Sequence, residues 1–296
     1  MTSKIPICAS CVGMDLFNPV LSSDTKIPKW LENVNYVKDF IAKQKSFEIT
    51  KPKKNTFKVS FTVEKKYAGQ FVLYWAAKPS TNNFKIADAK SSYDKFQNSG
   101  VAKVTNKGIL EMYVQCPQNY KAISSGSKIE KTFHRHIHFC FQKRNEKKWN
   151  EKKIFTKIIT CDVDLQFKDQ QFCVKNKNKC VFGEMLLCTL PFSFYKKNHI
   201  PESFHLDAAM VQKMSRQNLK TYFMNIIEKN KQQFAKLKKA IDKKDVEWYA
   251  IPIILYCKNK TCKASDHCLE ELTKKGIVNI KIFRGGIDEY HNEINV

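Results

Sequence analysis

The apolar pattern changes its period part-way along this chain, and that change limits the possible folds more than any composition figure does. From about 56 to 165, apolar residues come in short alternating runs at 57–63, 70–76, 109–114, 134–141 and 154–161. Turn residues separate them, among them Thr105-Asn106-Lys107-Gly108 and Ser124-Ser125-Gly126-Ser127. Strands at this spacing, with no helix between them, predict an antiparallel β-sandwich. Past about 180 the pattern differs: apolar strands at 184–190, 251–256 and 278–283 alternate with helical periodicity over 208–241, read as two helices, and over 264–275. Near-continuous apolar strands between helices predict a parallel sheet covered on both faces. The expected fold class is thus a two-domain α+β chain, an N-terminal antiparallel β-sandwich followed by a small doubly wound α/β domain. The Lys- and Asn-rich stretch 168–180 is the expected linker, so the two domains read as 51–167 and 181–296. Residues 1–50 read as an irregular lead with a helix opened by Pro28, in which Trp30, Val34, Val37 and Ile41 recur at helical spacing. The Lys-rich stretch 143–153 predicts a solvated hairpin tip.

Charge bears on partners. The net charge is +24, and residues 1–180 hold 33 of the 52 basic side chains against 15 acidic ones. A positive field of that size attracts polyanions or an acidic protein surface. Only Arg135, Arg144, Arg216 and Arg284 among the 52 carry a guanidinium. Base-edge reading relies on that planar fork, so the expected nucleic-acid contact is non-specific. One function class this opens is architectural: a non-catalytic component of a large assembly, such as a large DNA virus particle, touching polyanions through its basic half. The longest apolar run, 71–77, is too short to cross a bilayer, so no membrane partner is expected. The opening MTSKIPICASC has neither a secretion nor a transit pattern, and the chain has 11 Cys. Together these predict a cytoplasmic, reducing setting in which thiols act as reactive groups or ligands rather than staples. Cys8 and Cys11 form a lone C-x-x-C, which needs two more ligands to hold zinc; Cys173 and Cys180 are the candidates if the chain folds back.

The sharpest chemistry lies in IPIILYCKNKTCKASDHCLEELTKKG. A buried strand ends at Tyr256, Cys257 follows, and a helix begins within six residues. Backbone N–H groups of such a loop converge on one point and the helix start adds positive potential, which predicts a depressed pKa and a nucleophilic thiolate at Cys257. Lys258, Asn259, Lys260, Thr261 and Lys263 line the loop as its anion- or sulfur-binding wall. Cys262 reads either as a resolving thiol for Cys257 or as a plain helix-start residue.

Three motifs here resemble the rhodanese (sulfurtransferase) family: Asn198-His199-Ile200-Pro201-Glu202-Ser203, the loop from Tyr256-Cys257 to Ser265, and Gly285-Gly286-Ile287-Asp288-Glu289-Tyr290. The resemblance implies that Cys257 carries a persulfide sulfur between a small sulfur donor and a protein or small thiol. The family's loop often ends in Arg where Cys262 stands, and its Asp-x-Arg strand end is replaced by Leu187-Cys188-Thr189. Without that Arg, thiosulfate lacks a guanidinium clamp.

A second constellation is His134-Arg135-His136-Ile137-His138-Phe139. On a strand the three imidazoles share one face, and imidazoles two residues apart are placed to share a metal. With Tyr74-Trp75, Ser92-Tyr93-Asp94 and Cys116-Pro117-Gln118-Asn119-Tyr120 in order before it, the region 57–165 resembles the catalytic sandwich of intradiol ring-cleavage dioxygenases. That resemblance implies ferric iron held by Tyr93, Tyr120, His136 and His138. Phe133 stands where that family has a substrate-assisting Arg, which sets catechol cleavage apart from retention of the fold.

Overall fold

The computed structural model describes residues 35–123, 129–168, 171–176 and 179–294. The chain divides into two compact units, one of residues 35–81 and 86–159, the other of 82–85 and 160–294.

In the first unit the elements run α1 (Asn35–Lys43), β1 (Phe57–Thr62), β2 (Phe71–Ala76), β3 (Ala87–Asp88), α2 (Ala89–Tyr93), β4 (Ser99–Lys103), β5 (Ile109–Val114), β6 (Tyr120–Ile123), β7 (Glu130–Thr132), β8 (His136–Gln142) and β9 (Trp149–Ile158). Its central sheet has the order β4-β2-β8-β9 and is antiparallel throughout. The period-two alternation decides what each face does. Val72, Tyr74 and Ala76 of β2 and Ile137, Phe139 and Phe141 of β8 pack against Leu110, Met112 and Val114 of the antiparallel β1–β5 pair. The other face presents Leu73, Trp75, Cys140 and Ile154 to Val37, Phe40 and Ile41 of α1. The result is the expected antiparallel sandwich, with a helix closing its outer side. Strands β3, β6 and β7 form a small side sheet that carries Tyr120.

The second unit contains β10 (Cys161–Asp162), β11 (Leu165–Lys168), β12 (Gln171–Asn176), β13 (Lys179–Val181), β14 (Met185–Cys188), α3 (Phe192–Lys197), β15 (Phe204–His205), α4 (Ala208–Lys213), α5 (Arg216–Lys229), α6 (Ala235–Asp242), β16 (Ile253–Tyr256), α7 (Ala264–Lys274), β17 (Ile280–Phe283) and α8 (Gly286–Ile294). Its parallel sheet has the order β10-β17-β16-β14-β15. Strands β14 and β16 are buried at every residue, as strands covered on both faces must be. Leu186, Cys188, Ile254 and Tyr256 pack with Ile287 and Tyr290 of α8 and with Phe172 and Val174 of β12. Helix α7 packs on β16 and α4. Side-chain oxygens of Asp207 and Ser215 cap α4 and α5 through the amides of Met210 and Asn218.

Several expectations change. The described residues of the stretch read as a linker, 168, 171–176 and 179–180, lie in the antiparallel sheet β11-β12-β13 of the second unit, where Phe172 and Val174 supply an apolar face that the neighbouring lysines mask in the sequence. The run 154–161 splits: β9 ends at Ile158, and Cys161 begins a strand parallel to β17. Strand β9 begins at Trp149, which shortens the Lys-rich tip. Three helices, rather than two, occupy 208–241. The start of the first helix, the turn at 124–127, and Cys8 and Cys11 lie outside the described residues. Cys140, Cys188, Cys257, Cys262 and Cys268 are free thiols, whereas Cys116, Cys161 and Cys173 are disulfide-bonded. The reading of cysteines as thiols rather than staples therefore fails at those three, and Cys173 is not available as a zinc ligand; a count of cysteines says nothing of which sulfurs the fold brings together. Among the described residues no helix is long and apolar enough to cross a membrane.

Candidate functional site

Strand β16 delivers Cys257 to the carboxyl edge of the parallel sheet, where α7 begins seven residues later. The residue before it fixes the loop's base. Tyr256 is fully buried, and its hydroxyl accepts from the amide of Ile200 at 3.0 Å and pairs with Ser203 Oγ at 2.7 Å. The His-Ile-Pro segment is thereby tied to the strand that bears the cysteine. The Thr189 hydroxyl donates to the Tyr256 carbonyl at 2.9 Å and lies 3.2 Å from Ser265 Oγ, joining the end of β14 to the start of α7.

The other wall comes from the Gly-Gly segment. Gly286 has φ +64°, and a Cβ there would run into the carbonyls of Cys257 and Lys258. Those same carbonyls accept from the amides of Ile287 (3.1 Å) and Asp288 (3.0 Å) in the first turn of α8. Only glycine permits both that backbone conformation and that approach. Asn259 organises the tip: its amide donates to Asp288 at 2.8 Å, and its side-chain oxygen accepts from the amide and hydroxyl of Thr261. Lys260 and Lys263 are exposed and turn toward Glu289 (3.8 Å) and Asp266 (3.9 Å), so each spends part of its field on a neighbouring carboxylate. Arg284, the guanidinium nearest in sequence, is held by Asp162 at 3.0 Å and Asp266 at 2.8 Å.

A cysteine at the end of a buried parallel strand, ringed by the His-Ile-Pro segment and a Gly-Gly helix start, coincides with a family-level match: residues 183–293 fit the family model described as a rhodanese-like domain. The C-terminal part of this chain is a rhodanese-like domain. No curated protein matches the chain. The three motifs quoted from the sequence all fall within the matched span.

The acidity of the rhodanese-like loop differs from expectation. Burial raises the pKa of Cys257, which is 3% exposed; the hydroxyl and amide of Ser265 oppose that shift, and the Cys262 thiol adds to it. Cys262 is partly exposed, and burial pushes its pKa up as well. The amides of Ala264 and Lys258 and the Cys257 thiol outweigh that effect and leave it below the ordinary thiol value. The amides of Ala264 and Lys258 thus outweigh burial at Cys262, whereas at Cys257 burial outweighs the amide and hydroxyl of Ser265. The Cys257 thiol turns toward the segment that carries Cys262, its Sγ 3.4 Å from the carbonyl oxygen of Cys262. Ser265 and Thr189 were missed as site residues. Both stand at the ends of predicted elements, next to the motif, and that position is the signal that could have found them.

In the sandwich unit the structure brings all four expected metal ligands to one point. Tyr93 comes from α2, Tyr120 from β6, and His136 and His138 from the same face of β8. His136 Nε2 lies 2.9 Å from Tyr120 Oη, 3.3 Å from Tyr93 Oη and 3.0 Å from His138 Nε2, and the two phenol oxygens are 3.3 Å apart. His136 Nδ1 donates to the His134 carbonyl at 2.7 Å, so its Nε2 carries one bare lone pair. A cation at the centre would accept from all four, and two phenols with two imidazoles suit a hard trivalent ion such as ferric iron. Thr156 Oγ1 lies 2.8 Å from His138 Nδ1; with the His134 carbonyl it orients the rings as outer partners of a metal site do. Burial holds both imidazoles neutral and pushes His136 down to about 4. His134 itself is buried and lies outside the cluster; its Nε2 has no hydrogen-bond partner among the described residues, and burial lowers its pKa to about 3. Among the described residues no three His, Cys, Asp or Glu side chains stand together as metal ligands.

Proposed function

We propose that the protein is a sulfur-handling enzyme of the rhodanese-like class, in which Cys257 takes a sulfane sulfur and passes it to a thiol. The observation that carries this reading is the seat of Cys257 at the carboxyl end of β16, clamped between Tyr256 and the α8 amides inside the matched domain. With Arg284 committed to two carboxylates, an anionic donor such as thiosulfate finds only lysines at the loop. The donor class that fits is therefore a thiol-borne persulfide or a polysulfide, and the acceptor is a protein or small thiol. The test is to treat the reduced full-length chain with a polysulfide, remove the excess, and measure cyanide-releasable sulfur. Counting cyanide-releasable sulfur together with any hydrosulfide expelled, the wild type is expected to have taken up one labile sulfur and Cys257→Ser none. Equal loading of the two proteins overturns the assignment.

The convergence of Tyr93, Tyr120, His136 and His138 favours a second activity in the sandwich unit. We propose that these four residues hold ferric iron, which when bound supplies a Lewis acid and a visible phenolate charge-transfer band. Phe133, a buried core residue, stands where the dioxygenases that this unit resembles have a substrate-assisting Arg, so metal binding is proposed here and catechol cleavage is not. Iron analysis together with a visible spectrum tests it. A colourless protein without iron, made with iron present, removes this reading.

A further inference from the structure

We infer that Cys262 is the residue that discharges Cys257, by forming a Cys257–Cys262 disulfide and expelling the carried sulfur as hydrosulfide. This rests on the sulfur-carrying reading of Cys257 and adds the fate of that sulfur. Three features of the loop place the pair in these roles. The Cys257 side chain turns onto the segment that carries Cys262, its Sγ 3.4 Å from the Cys262 carbonyl oxygen, and the five-residue turn between them is closed by the Cys262 amide donating to the Asn259 carbonyl at 3.1 Å. The amides of Ala264 and Lys258 favour an anionic sulfur at Cys262. Cys262 is partly exposed whereas Cys257 is 3% exposed, so Cys262 is the sulfur of the pair that an outside reductant reaches.

The step balances without an outside oxidant. The Cys262 thiolate attacks Sγ of the Cys257 persulfide, Cys257–S–SH. A bond forms between the two cysteine sulfurs, the bond from Sγ to the terminal sulfur breaks, and that sulfur leaves as HS⁻ with the electron pair. The terminal sulfur is reduced by two electrons and the two cysteine sulfurs are oxidised by two. The dithiol returns when a small thiol, such as glutathione or dithiothreitol, attacks the disulfide at Cys262. The position where the rhodanese family often has a clamping Arg is thereby given over to redox chemistry.

The experiment uses full-length wild type, Cys262→Ser and Cys262→Ala, each reduced, loaded with sodium tetrasulfide and freed of excess by gel filtration. Hydrosulfide is followed with no thiol added, and the 257–262 peptide is mapped after alkylation. Wild type is expected to release one hydrosulfide per chain and to end as the disulfide. Both variants are expected to keep the sulfur on Cys257, with release slowed at least ~10-fold. If wild type holds its sulfur as long as the variants do and no 257–262 disulfide appears, this inference is wrong and the carrier reading stands. If none of the three proteins loads sulfur, while circular dichroism shows them folded, both fail together.

Discussion

Replacing Gly286 with Ala probes how the cysteine loop is held. At φ +64° a residue with a Cβ costs about 1–2 kcal/mol relative to glycine. The new methyl would also meet the carbonyls of Cys257 and Lys258, so the backbone has to shift and weaken the bonds from Ile287 and Asp288, at about 1 kcal/mol each. The local cost sums to about 3–4 kcal/mol, which corresponds to a roughly 150- to 1,000-fold rise in loop opening. Because the chain has two units, one unfolding midpoint is a poor readout. Hydrogen exchange of peptides spanning β16 and 257–262, together with the alkylation rate of Cys257, reports the opening directly. Both are expected to rise by that factor while exchange in β8 stays unchanged. An alkylation rate within a factor of two of wild type would refute the view that the α8 start clamps this loop.

The remaining predictions concern acidity, anchoring and metal. Cys262 titrates below and Cys257 above the ordinary thiol value, so near pH 7 iodoacetamide is expected to label Cys262 first, and Cys257 is expected to react only as the pH is raised toward the alkaline range; peptide mapping across a pH series that gives the reverse order contradicts this. Tyr256→Phe strips the hydroxyl from the buried Ile200 amide and from Ser203, which costs about 1–3 kcal/mol, read as faster exchange in 199–204; unaltered exchange there would show that the tether is dispensable. In iron-loaded protein, Tyr93→Phe and Tyr120→Phe are each expected to weaken and shift the visible band, and the double variant to lose it. A band that survives the double variant places the iron elsewhere.

How far the residues spoke for themselves depended on the length of each element. Strands β2, β5, β8, β14 and β16 carry four to seven residues with clear alternation or continuous apolar character, and the change of period between the two units follows from them. The side sheet of β3, β6 and β7 has strands of two to four residues, too short for any period to show, although β6 places Tyr120. Strand β12 was hidden because its apolar Phe172 and Val174 sit among Lys and Gln. At the sites, His136 and His138 were legible from spacing two, and Cys257 from its place after a buried strand. The acidity of the thiols was not. It depends on which sulfur the loop amides reach and which is covered, and a chain turn of five residues leaves that open until the α8 start and Ser265 are in place.

Whether residue 257 is a sulfur carrier is decided by the intact mass of native full-length protein before and after polysulfide treatment, alkylated and mapped to the 257–262 peptide. One added sulfur atom on Cys257, or the 257–262 disulfide left once that sulfur departs, is the result expected. A treated chain whose peptide carries two unmodified thiols contradicts the account.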